Sequence, residues 1–434
     1  MKAGAPRGRR LRRVRASMNT IVGYSISMVL LAVVSLAVIP SMVMASGAAA
    51  WGMIAAGQSI GGVGAVIVAY GWGLSGPASV ARADANMRLT AYAESVICKL
   101  LIIVPVGLLV FLVAWGVGRD YAIFAGVGAL STATVGLTAN WWFVGLMQPY
   151  RLLVFETVPR VLGTGIGIFY MTHGSSALVG VLWQLIGMVT AFVASTIWIL
   201  QPWRLRRLRS LPRRRIGMVL SSQRLGVTST VLSSLYTSTP IVIVSLIAPG
   251  AQPVYAVVEK VQRQVIVGLG PFVTILQGWV PKARRQDLVR RVRTGLVAAV
   301  VFAVALAGLM LAVAPELVRW LGGGQIKPSF VTLILMALIT GVSLIEAVVS
   351  KACLAALRRL DVVTRATAIG TLVGLPCVAI GAVSWGAEGA LCGIFAGLSL
   401  RLLLELMGMR RAIDQRSEDA LDVTMVPEIG VSGS

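Results

Sequence analysis

An apolar run of about 20 residues, the length of helix that crosses the ~30 Å hydrocarbon core of a bilayer, recurs twelve times along this chain. Inside hydrocarbon every backbone N–H and C=O must be satisfied within the segment or in a closed barrel, and runs of this length do so as helices. Six runs cover 19–41, 49–70, 96–117, 121–144, 152–171 and 176–200. Six more cover 226–247, 254–280, 295–314, 330–350, 366–385 and 390–409. Charged residues make up 13% of the chain, about half the share in a soluble domain. The expected fold is all-α and integral to a membrane, with about twelve transmembrane helices.

Lys and Arg collect in the cytoplasmic connections of such a protein. With the N-terminus placed inside, only Arg119, Arg319 and Lys327 of the 39 basic residues fall on the opposite side, and Lys260 and Arg263 fall within the eighth run. This alternation predicts an even number of crossings with both termini cytoplasmic. The first run exceeds the roughly 7–15-residue core of a signal peptide, so it is expected to remain as the first helix. The chain then divides into a basic cytoplasmic segment (1–18), a six-helix bundle (19–200), a basic cytoplasmic linker (201–215), a second six-helix bundle (216–409) and a polar cytoplasmic tail expected to be disordered (410–434).

The net charge of +23 would point to nucleic acid in a soluble protein. Here the densest cluster, Arg204, Arg206, Arg207, Arg209, Arg213, Arg214 and Arg215, stands where a topology signal belongs. Its expected partners are anionic lipid headgroups and not nucleic acid. The four cysteines, Cys98, Cys353, Cys377 and Cys392, have no metal or redox spacing and read as small packing residues. One histidine, His173, with short outer loops, leaves little for a metal site or a membrane enzyme. A transporter is expected, not an enzyme.

The two halves echo each other weakly. Gly71-Trp72 is followed by Pro77 and Arg82, and Gly278-Trp279 by Pro281 and Arg284. Parallel repeats of this kind occur in transporters. Three stretches carry a more specific likeness: the segment from Tyr70-Gly71-Trp72 through Pro77 to Arg82, Asn140-Trp141-Trp142-Phe143-Val144-Gly145, and Tyr255-Ala256-Val257-Val258-Glu259-Lys260 running on to Pro281. Together they resemble the polysaccharide-biosynthesis, O-antigen-flippase-type branch of the multidrug/oligosaccharidyl-lipid/polysaccharide (MOP) exporter superfamily. The resemblance implies two six-helix bundles around a central cavity in the cell (plasma or inner) membrane. It implies transfer of a polyprenyl-diphosphate-linked oligosaccharide from the inner to the outer leaflet by alternating access. Expected partners are that lipid-linked substrate, membrane lipids and polysaccharide polymerase or export proteins. No cofactor is implied, and coupling to a proton gradient, a sodium gradient or neither stays open here. The alternative is a small-molecule or drug cation exporter of the same superfamily.

A diphosphate in hydrocarbon needs cationic partners, because isolated buried charge is very costly. Lys260 and Arg263 are the candidates, since Arg263 is about 14 Å down the eighth helix at ~1.5 Å per residue, and intramembrane charge marks function by default. Glu259 belongs to the same candidate set, although at i,i+4 from Arg263 it can instead neutralise that residue. Arg160 follows Pro159, which can open backbone carbonyls to a cavity; the competing reading is an ion pair with Glu156 at the cytoplasmic end. Arg82, Arg88 and Lys99, read at the inner headgroup level where the second helix ends and the third begins, can meet the arriving diphosphate or simply set topology. Tyr24, Gln58, Asn140, Gln184 and Gln277 read first as interhelical hydrogen-bonding groups, and Trp141 and Trp142 as part of an interfacial belt. Glu346 and Glu405 read as paired or snorkelling carboxylates near the cytoplasmic end.

Overall fold

The computed structural model describes residues 7–201, 213–281 and 287–425. The linker residues Arg204, Arg206, Arg207 and Arg209 and the last nine positions of the tail lie outside these residues. Among the described residues the regular structure is helical, with no strand. Seven helices are long and apolar enough to cross a membrane, and three of them, of 48, 61 and 56 residues, exceed one crossing. The chain is an integral, multi-pass membrane protein.

Each of the three long stretches covers two expected spans and contains a break. Helix α1 (Arg7–Ala69) is broken at Gly47, φ 85°, a backbone conformation that costs glycine nothing. Short α2 (Trp72–Arg82) leads to α3 (Ala85–Gly118). Asp84 caps α3 by accepting from the Met87 N–H at 2.8 Å, the usual service of an N-cap carboxylate. A 3₁₀ turn, Arg119–Tyr121, joins α3 to α4 (Ala122–Ala133). The expected fourth span, 121–144, is not one helix. After α4 come a 3₁₀ turn, Thr134–Leu137, an extended residue at Thr138, and the separate α5 (Asn140–Gly145). Next are α6 (Pro149–Leu152), a π-helical turn (Leu153–Thr157), α7 (Val158–Thr172) and α8 (Ala177–Leu200).

Beyond the linker are α9 (Arg213–Ile247), α10 (Gln252–Gly268) and α11 (Gly270–Trp279). The expected eighth span is thus two helices, because Pro271 opens α11 and cannot continue α10. They lead to α12 (Leu288–Leu321) and α13 (Phe330–Val348), then a second π turn (Val349–Leu354) and α14 (Leu360–Met425), which is broken at Trp385–Gly386. Helix α14 runs to Met425, so the stretch from 410 to 425, expected as disordered tail, continues the last helix.

The chain forms two compact units. One comprises Met1–Lys260 with Glu316–Lys327, the other Val261–Pro315 with Pro328–Ser434. Lipid tails are as apolar as leucine, so close backbone approach and buried hydrogen bonds hold such helices together more than apolar burial does. In the first unit Gly57 and Gly61 of α1 press on the backbone of Ala125 and Ala129 in α4, with no room for a Cβ. The same unit holds an aromatic cluster. Trp141 lies 4.9 Å from Trp72 between ring centroids and stacks on Tyr92 at 6.0 Å, and the Tyr92 hydroxyl bonds Thr196 at 3.1 Å. Trp141 and Trp142 are therefore core residues, 4% and 5% exposed, and not the interfacial belt expected of them. The helix break before Asn140 makes α5 a separate segment, packed on α2.

In the second unit Val280, Val292, Leu344, Val348 and Cys353 share one core. Cys98 and Cys353 are buried packing residues, whereas Cys392 is exposed.

Candidate functional site

Pro159 has no N–H, which deprives the Phe155 carbonyl of its helical donor. The turn that precedes it is π-helical, closed by the Val158 N–H on the Leu153 carbonyl. Such turns recur at functional sites. From the neighbouring α8, Ser195 Oγ stands 3.5 Å from the Phe155 oxygen and donates to Glu156 Oε1 at 3.0 Å. Glu156 is 3% exposed.

The same carboxylate oxygen accepts the Ala139 N–H at 2.7 Å, at the point where the fourth span unwinds. Lys99 of α3, 2% exposed, donates to the Thr138 carbonyl at 2.8 Å and more distantly to the Leu137 carbonyl at 3.4 Å. Peptide groups released by the break are thus satisfied by two charged side chains, as buried backbone must be. Glu156 lies within Coulombic reach of both Arg160 and Lys99. It is not held in the simple ion pair with Arg160 expected of i,i+4 neighbours, because its hydrogen bonds go to Ala139 and Ser195. Arg160 Nε is buried and has no hydrogen-bond partner among the described residues.

One turn along α7 from Glu156, Arg160 lines a cavity of about 200 Å³ in the first unit. Lys260 lines it as well, with Gln58, Gln184, Thr164 and Ser131 as further polar groups and Val38, Ile39, Met42 and Trp51 among the apolar ones. Lys260 Nζ donates to Gln58 Oε1 at 3.1 Å. Among the described residues no carboxylate lines this cavity. Two of the five candidate residues, Lys260 and Arg160, therefore share one wall, joined by two of the amides that read as interhelical glue. The other three stand elsewhere. Glu259 is half-buried beside Lys260, Arg263 is an exposed residue of the second unit, and Arg82 is exposed in the last turn of α2. The buried Lys99–Glu156 network is the part that sequence reasoning missed. Its only signal was a charged residue three positions inside an otherwise apolar run.

The second unit carries its own buried charges. Arg401 Nε donates to Glu405 Oε1 at 3.1 Å, and its other nitrogen pairs with Glu346. Glu405 is fully buried and its Oε2 has no hydrogen-bond partner among the described residues.

No known family's sequence pattern matches the chain, and no curated protein matches it in sequence. Solved structures do match. One is an inward-facing conformation of a multidrug resistance MATE family transporter of the MOP superfamily, with a TM-score of 0.72 at 14% identity, covering 92% of this chain and 99% of that one. Another is the lipid II flippase MurJ in an inward closed conformation, with a TM-score of 0.68 at 15% identity, covering 93% and 91%. A third is a MATE in the bent conformation, with a TM-score of 0.52 at 16% identity, covering 96% and 100%. This chain has the fold of those transporters. At such identities the likeness speaks for the fold alone.

Proposed function

We propose that this chain is a transporter that moves a polyprenyl-diphosphate-linked oligosaccharide from the inner to the outer leaflet. In this reading it crosses the cell membrane twelve times with both termini cytoplasmic, and works by alternating access. The observation that carries the reading is the sign of the cavity in the first unit: Arg160 and Lys260 on its wall and no carboxylate among its described lining residues. A buried cation is costly unless something offsets it, and a diphosphate offsets two. The volume, about 200 Å³, is that of about seven waters at ~30 Å³ each, enough for a diphosphate but not for the sugar chain behind it. The oligosaccharide would occupy space opened during the transport cycle.

A second reading, export of a small organic cation, draws on the Glu346–Arg401–Glu405 cluster, in which the buried Glu405 and the partly buried Glu346 face one arginine. The same arginine already engages both, so the cluster is a weaker cation acceptor than the cavity is an anion acceptor.

Transport of a fluorescent polyprenyl-diphosphate oligosaccharide across proteoliposomes tests the proposal. Wild type is expected to transport. Lys260→Ala and Arg160→Ala are each expected to slow it by roughly tenfold or more, the effect of removing one charge-assisted hydrogen bond of ~1.5–3 kcal/mol. Arg263→Ala serves as the comparison from the same stretch of sequence. Absence of transport by correctly inserted wild type would sink the function. Undiminished transport by both cavity variants would sink the site and keep the function.

A further inference from the structure

A second cavity lies in the first unit, walled by residues of α2, α3 and α5 and by the unwound segment before α5. Its volume is about 190 Å³, and it is lined by Gly73, Pro77, Lys99, Thr138, Asn140 and Trp141 among others. It is distinct from the Arg160–Lys260 cavity and shares no lining residue with it.

Two features of its wall converge. Lysine has three N–H donors, and Lys99 directs two of them to the carbonyls of Leu137 and Thr138. Asn140 contributes an exposed amide at the mouth. Among the described lining residues none is acidic. Behind the wall, Glu156 lies within Coulombic reach of both Lys99 and Arg160. A buried lysine, an exposed amide at the mouth and a carboxylate-free wall suit an oxygen-rich anion.

We propose that this pocket binds a phosphate group, held by Lys99 and Asn140. The pocket stands on its own geometry. That the phosphate belongs to a lipid on its way to the Arg160–Lys260 cavity rests on the transport reading above.

The test uses the full chain in detergent, carrying Lys260→Gln so that the other cavity loses its cation that is not part of the Lys99–Glu156–Arg160 network. Inorganic pyrophosphate is titrated calorimetrically into two further variants of that background, Gly73→Asp and Gly73→Asn. Gly73 has nothing within 4 Å of an added Cβ and is the second residue of α2, where an acidic side chain suits the helix dipole. Both variants are therefore expected to fold, and they differ only in charge. The carboxylate is expected to weaken pyrophosphate binding by roughly tenfold or more relative to the amide, as one opposed unit charge near a protein surface does. Equal titrations of the two variants, or no binding by the Gly73→Asn form, would overturn the site. Lys99→Arg, which keeps the charge, is expected to bind where Lys99→Gln does not, and the reverse also overturns it.

A short-chain prenyl diphosphate and phosphatidylglycerol micelles distinguish the sources. A prenyl diphosphate that binds more tightly than pyrophosphate makes the phosphate lipid-borne, and displacement by phosphatidylglycerol makes it a bulk headgroup. Either result keeps the pocket. Loss of transport in proteoliposomes with pyrophosphate binding intact would count against the transport reading and leave the pocket standing.

Discussion

Replacing Glu156 by Gln isolates what one buried carboxylate does for the first unit. The amide oxygen can still accept the Ala139 N–H, now at 2.7 Å, and the Ser195 hydroxyl, now at 3.0 Å, so little hydrogen bonding is lost. What disappears is the negative charge within reach of both Lys99 and Arg160. Removing one partner from a buried charge group costs about 3–5 kcal/mol, because the cations left behind stay buried. For a domain of roughly 150–250 residues each kcal/mol moves the melting temperature by about 2–4 °C, so the expected drop is roughly 6–20 °C. Thermal unfolding of the detergent-solubilised chain, followed by tryptophan fluorescence, reads it directly. The double variant Glu156→Gln/Lys99→Gln should be less destabilised than the two singles added together, since it removes a cation along with the carboxylate. If Glu156→Gln melts within about 2 °C of wild type, or if the double variant equals the sum of the singles, the electrostatic account of this network is wrong.

Other outcomes follow from the same packing. Gly61→Leu should prevent α1 from approaching the Ala129 backbone; overpacking of this kind costs at least ~1–3 kcal/mol, and size-exclusion profiles of the solubilised protein should show aggregated or absent product. Ser195→Ala removes one donor to Glu156 and should cost only about 1 kcal/mol, a small shift in the same melting assay. Arg401→Met strands Glu346 and Glu405 without their shared cation and should destabilise by about 3–5 kcal/mol; Arg401→Met/Glu405→Leu should recover part of that loss, again read by melting.

The helices and the membrane are legible in the sequence because hydropathy accumulates residue by residue, and a run such as 330–350 needs no partner to declare itself. The breaks are legible where Pro159 marks one and where a gap separates two runs, as around Gly47 between 19–41 and 49–70, whereas the run 254–280 reads as a single span although Pro271 divides it. The break at Thr138–Ala139 is not, because no proline sits there and its support comes from Lys99 and Glu156, 39 and 17 residues away. For the same reason Lys99 read as an end-of-helix charge and Glu156 as half of a local ion pair. Arg160 and Lys260 were visible as costly intramembrane charges, but their meeting on one cavity depends on tertiary packing that no local pattern encodes.

A charged side chain in an apolar run and an unwound turn in a membrane helix are each expensive alone, the first for its charge and the second for its freed peptide groups. Each supplies what the other lacks. Lys99 donates to the Thr138 carbonyl and Glu156 accepts the Ala139 N–H, so the unwinding persists because the two charges are there, and the charges are tolerated because the unwinding is there. The search for the partner of a buried membrane charge therefore has to include broken backbone as well as opposite charges. In this chain that search leads to an unwound segment, 134–139, with residues on the walls of both cavities: Val135 on one, and Gly136 and Thr138 on the other.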